Sequence, residues 1–68
     1  MTRKETAEKM KRLATREERA MVAIEFFSDE NNYREETIGY GDSYLPVRDD
    51  GLEIARMVIN GVEPHNLL

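Results

Sequence analysis

The sequence predicts one small, mostly α-helical domain: a long N-terminal helix, an irregular central loop, and a short C-terminal helix packed back on the first. Three observations carry that reading. Residues 3–27 contain neither Gly nor Pro and are rich in helix-forming side chains. Residues 20–33 hold the densest apolar run, then break into Ser28, Asp29, Asn31 and Asn32, whose short side chains bond to nearby backbone and end helices. A second apolar run, Leu52, Ile54, Ala55, Val58 and Ile59, is closed by Asn60-Gly61.

The first helix starts at Arg3 or Lys4, because Thr2 and Glu5 have the spacing of a capping box. Pairs such as Glu5 with Lys9 and Glu8 with Arg12 set an acid four residues before a base, the favourable order. Its apolar stripe is thin at first (Ala7, Met10, Leu13, Ala14) and broad later, where Met21, Ile24 and Phe27 run beside Ala20 and Ala23. A helix of about 24 residues is about 36 Å long, whereas a compact chain of this size has a radius of gyration of about 11 Å. The first turns are therefore expected to project, or to pair with a second copy as a dimer through this helix.

Residues 28–49 read as a loop punctuated by Asn31-Asn32, Gly39, Gly41 and Pro46, with a short strand possible near 37–40 or 44–47. A structureless loop of that length is uncommon in a compact domain, so it either serves function or hides a turn of helix. Asp49 or Asp50 then caps a helix of about ten residues, with Gly51 in its first turn. Leu52, Ala55, Val58 and Ile59 are expected to pack on Met21, Ile24 and Phe27, since so short a helix needs tertiary support. After Pro64, one more turn is expected, with Leu67 and Leu68 returning to the core or fraying.

Composition bounds the function. With 68 residues the chain lies near the size at which a core alone stabilises a fold, which makes oligomerisation an expectation. Absence of cysteine excludes a disulfide framework and fits a cytoplasmic setting. No apolar run approaches the roughly 20 residues that span a bilayer. The net charge of −4 divides unevenly: residues 1–19, a basic projecting half-helix, carry +3, and residues 20–68, an acidic body, carry −7. A basic arm on an acidic body steers toward oppositely charged partners.

Candidate sites follow from that polarity. Lys9, Arg12, Arg16 and Arg19 recur at three- and four-residue steps, a possible phosphate-contacting strip, although interleaved glutamates dilute it and no aromatic side chain lies nearby to stack on bases. Glu35, Glu36, Tyr40, Asp42 and Tyr44 form an acidic, tyrosine-bearing loop face. Residues 37–42, TIGYGD, have the letters of a potassium-channel filter, but a filter needs membrane-spanning helices around it, and a Gly-rich turn accounts for them. His65 and Glu63 are too few for a metal site. No nucleophile and base pair appears, so no catalytic residue, metal or cofactor is assigned, and the chain reads as a binding protein, not an enzyme.

Residues 23–33, then Pro46-Val47, Asp50-Gly51 and Ala55-Arg56, resemble small bacteriophage and prophage proteins that carry an A-L-x-F-x-A-D-P-x-N-Y stretch followed by P-I-x-x-D-x-G-x-x-A-R. The resemblance spans about residues 20–60 and departs at Glu30, where that pattern commonly has proline. That family has no established activity, so the resemblance implies a phage origin and not a chemistry. Within it, Phe26 and Phe27 belong to the core, Tyr33 packs under the loop, and Arg56 reaches back to a carboxylate. The expectation that follows is a phage-type protein that engages a host protein in the host cytoplasm as a takeover factor or anti-defence inhibitor. The alternative is an accessory nucleic-acid binder using the basic face.

Overall fold

A computed structural model describes residues 1–62. Three helices and one hairpin follow in order: α1 (Arg3–Met10), α2 (Arg16–Ser28), a 3-10 turn (Glu30–Tyr33), β1 (Glu36–Ile38), β2 (Asp42–Tyr44) and α3 (Pro46–Asn60). The chain is mostly helical, as its sequence predicts, but the long first helix is two. A helix stops at Met10, and Thr15 starts another: its hydroxyl accepts from Glu18 N–H while the Glu18 carboxylate accepts from Thr15 N–H, the same reciprocal cap that Thr2 and Glu5 make on α1. Two T-x-x-E boxes thirteen residues apart mean two starts, and no 36 Å rod projects from the body.

α2 runs antiparallel to both neighbours. Its start lies by the end of α3, where Arg16 and Arg19 donate to the Ile59 and Val58 carbonyls, and its end lies by the start of α3, where a methyl group on Gly51 would meet the Phe27 ring at 3.4 Å. Lys9 of α1 pairs with Glu25, and Arg3 with Glu53, which closes the triangle. Into it point Ala7, Met10, Val22, Ala23, Phe26, Ile54 and Met57, all buried. Burying one of the larger of these side chains, a Val, Ile, Met or Phe, contributes about 1.5–3 kcal/mol.

The inward faces differ from the predicted ones. Phe26, Val22 and Ala23 turn in, with Arg19 on the same stripe; Met21 and Ile24 turn out, 69% and 62% exposed, and Phe27 sits at the rim with its ring edge-on to Phe26. On α3 the inward residues are Gly51, Ile54 and Met57, one step round from most of the predicted set: Val58 packs partly buried against the core as expected, but Leu52 and Ile59 are exposed and so is Ala55. The physical reason is α1. As a third element it shares the core with Ala7 and Met10, and the centre of a three-helix triangle lies on a different side of each helix from the point of contact of a two-helix pair.

α3 starts earlier than Asp49. Pro46 fills the first helical position, where its missing N–H costs nothing, and the Asp49 carboxylate reaches back to the Leu45 N–H at 2.8 Å. The 28–49 segment holds both the turn of helix and strands. Asp29 caps the 3-10 turn through Asn31 N–H, and β1 and β2 pair antiparallel with Glu36 opposite Tyr44 and Ile38 opposite Asp42. Gly39 and Gly41 adopt φ of +69° and +88°, values open to glycine, and let the chain reverse over Tyr40 alone. The proposed turn after Pro64, together with His65, Leu67 and Leu68, lies outside the described residues.

Candidate functional site

The predicted basic strip is taken apart by the fold. Arg19 is buried; its guanidinium donates to Val58 O and Leu13 O, each at 3.0 Å, and Arg16 donates to Ile59 O at 3.1 Å. Val58 O and Ile59 O are among the last carbonyls of α3, which lack intrahelical partners and carry the negative end of its dipole, whereas Leu13 O belongs to the α1–α2 connection. α3 has no basic residue in its own last turn, and α2 supplies the cations instead. Lys9 is tied to Glu25 at 3.2 Å, and Lys11 to Glu8 at 2.9 Å, which holds the Glu8 carboxyl below its ordinary range. Of the four strip residues only Arg12 makes no hydrogen bond or ion pair among the described residues, though its charge acts on nearby Glu8. It opens onto a shallow groove of about 600 Å³ between α1 and α2, whose walls carry both signs of charge in Glu8, Lys9 and Glu25. A mixed field of that kind is a poor phosphate cradle.

The acidic loop face separates into an inner and an outer set. Tyr44 turns in: its hydroxyl donates to the Asp50 carboxylate, beside which Arg3 approaches at 3.9 Å, and desolvation together with that bond pushes its pKa up to about 12. Glu35 lies 3.7 Å from Arg48, which also clamps Asp49 and donates to Ser43 O, bracing the hairpin against the first turn of α3. Asp49 is held below its usual range chiefly by Arg48 and by the Leu45 N–H. Glu36, Tyr40 and Asp42 remain outward, joined by Ile38, half exposed. The Tyr40 side chain at the tip of the reversal is completely exposed.

A further group of polar contacts fixes this hairpin to a rigid base. Asn32, buried, donates through one amide nitrogen to Phe26 O at 2.8 Å and Met1 O at 2.9 Å, so the 3-10 turn, the end of α2 and the first residue are one unit. The Met1 ammonium donates to Asp29, and this bond, with Asn31 N–H, keeps the Asp29 carboxyl low. Tyr33 is exposed rather than packed under the loop, but its hydroxyl donates to Phe27 O at 2.6 Å. Arg56 has no carboxylate partner among the described residues and stands in solvent.

Sequence reasoning missed two things, of which the pattern contained the first. Arg19, Val22, Ala23 and Phe26 have i, i+3, i+4, i+7 spacing, so an arginine on an apolar stripe marks a buried cap. The exposed side chains Met21, Ile24, Leu52 and Ile59 were legible only as core, because exposure depends on the third helix. Among the described residues no three metal-ligating side chains converge, and no helix is long and apolar enough to cross a membrane. No family model matches the chain, and no curated protein or solved structure is significantly similar to it.

Proposed function

We propose that this chain is a small protein-binding factor of phage type that engages a host protein through its hairpin and modulates it in the host cytoplasm, as a takeover or anti-defence inhibitor would. It acts by binding and not by making or breaking bonds. The observation that carries the reading is Tyr40: a fully exposed ring at the tip of a two-strand hairpin whose base is clamped to α3 by Arg48 and Tyr44. A tyrosine offers a large amphipathic contact with few rotatable bonds, and a braced support lowers the ordering cost of association. With Ile38 beside it and Glu36 and Asp42 flanking, the complementary surface is an apolar pocket with a basic rim. The resemblance of residues 20–60 to phage proteins supports the choice of a host protein as the target.

The test places a photo-crosslinking phenylalanine analogue at position 40 and captures partners from bacterial lysate with and without nuclease treatment. One protein adduct that Tyr40→Ala competitor fails to displace, and that intact chain displaces, supports the reading. Displacement by Tyr40→Ala as good as by the intact chain contradicts it. Adducts that vanish on nuclease treatment favour the nucleic-acid alternative, for which only Arg12 of the original strip remains free of a hydrogen bond or ion pair among the described residues.

A further inference from the structure

The α2–α3 face opposite α1 carries exposed apolar side chains for which the bundle itself gives no account. Helical registration fixes its layout, because residues advance about 100° per step. On α2 the buried set Arg19, Val22 and Phe26 faces inward, and Phe27, Ala20 and Ile24 follow one another on the flank that meets Gly51. On α3, Ala55, Leu52 and Ile59 continue from Gly51 on the matching flank. The band they make is exposed: Ile24 62%, Leu52 64%, Ile59 54%, with Met21 at its α2 edge. Apolar exposure of this extent, beside a core of seven buried apolar side chains among the described residues, is typical of an interface.

We infer that this face joins two copies of the chain about a two-fold axis running along the helices, α2 of each copy lying on α3 of the other. Charge at the edges selects that occupant and that orientation. Glu17 lies at the outer edge on α2 and Arg56 at the outer edge on α3; both are exposed, and neither has a partner among the described residues. Rotation about an axis along the helices carries the Glu17 edge of one copy over the Arg56 edge of the other and does so twice. Rotation about the perpendicular in-plane axis sets α3 on its own copy, with Arg56 near the axis beside the second Arg56, a like-charge contact. The size of the chain points the same way, since a core this small commonly gains stability by association. The self-association expected through the first helix is closed, because Ala7 and Met10 are spent on the core. In the proposed dimer both hairpins emerge at one end, so two Tyr40 rings point to the same side.

Sedimentation equilibrium of the intact chain across the micromolar range is the test. The expected mass is twice the 7.9 kDa chain. Ile24→Glu, and independently Leu52→Glu on the other helix, return it to the single-chain mass with unchanged helical circular dichroism. Glu17→Arg or Arg56→Glu alone weakens association by about tenfold through like-charge contact, and the two together restore it. A single-chain mass at every concentration overturns the inference and leaves the face to another protein. A dimer indifferent to both glutamate substitutions overturns the interface, and a double charge swap no tighter than the single changes overturns the orientation. None of these outcomes depends on Tyr40, so they stand apart from the crosslinking test.

Discussion

Arg19 shows how one side chain changes meaning with its surroundings. In the sequence it is the fourth cation of a strip; in the fold it is the buried link between the α1–α2 connection and the end of α3. Arg19→Ala should cost about 2–4 kcal/mol, because two carbonyls lose their donor in a site with little water; urea unfolding reads it directly, and a loss below about half a kcal/mol would show the carbonyls to be solvated. Phe26→Ala should cost about 3–5 kcal/mol, and Phe27→Ala clearly less, since its ring is partly in water and rests on Gly51. The sequence reading put both rings in the core; that only Phe26 is fully buried depends on where α1 lies. Tyr44 gives a pH prediction. Its pKa is raised in the fold, so the unfolded chain releases that proton first, and this contribution to stability is complete below about pH 10 and lost as pH rises toward about 12. Phenolate absorbance during an alkaline titration should contain a late component that Tyr44→Phe removes.

At the scale of elements, the ends were easier to read than the middles. Thr2 with Glu5, Asn60-Gly61 and the stop at Ser28 are local chemistry, complete within a few residues, and each was readable from sequence. The break at residues 11–15 is local chemistry too: Thr15 with Glu18 repeats the first box, but a run of good helix formers without Gly or Pro conceals it. Thr15→Ala should cost about 1 kcal/mol, equivalent to about 4–8 °C in a domain of this size, and differential scanning calorimetry would show it; no shift would mean that α1 and α2 are joined. The hairpin and the start of α3 were hidden for another reason. Three-residue strands have too little periodicity to register, and Pro46 reads as a loop residue until the Asp49 carboxylate is seen holding the Leu45 N–H.

The whole molecule turns on which side of each helix faces in. The sequence allows two answers, a pair of helices sealed by Met21, Ile24, Leu52 and Ile59, or a triangle sealed by Met10, Phe26, Ile54 and Met57, and both stripes have helical spacing. The fold class is common to the two, which is why it was legible; the exposed surface is not, and with it goes the candidate site. The methionines distinguish them in one experiment. Met10 and Met57 are wholly buried and Met21 is 69% exposed, and thioether oxidation by dilute peroxide follows access to solvent. Peptide mass spectrometry along a time course should find Met21 converted to sulfoxide first, with Met10 and Met57 protected until the chain unfolds. Protection of Met21 while Met10 oxidises freely would contradict the triangle and put the interface assigned to α2 and α3 back inside the core.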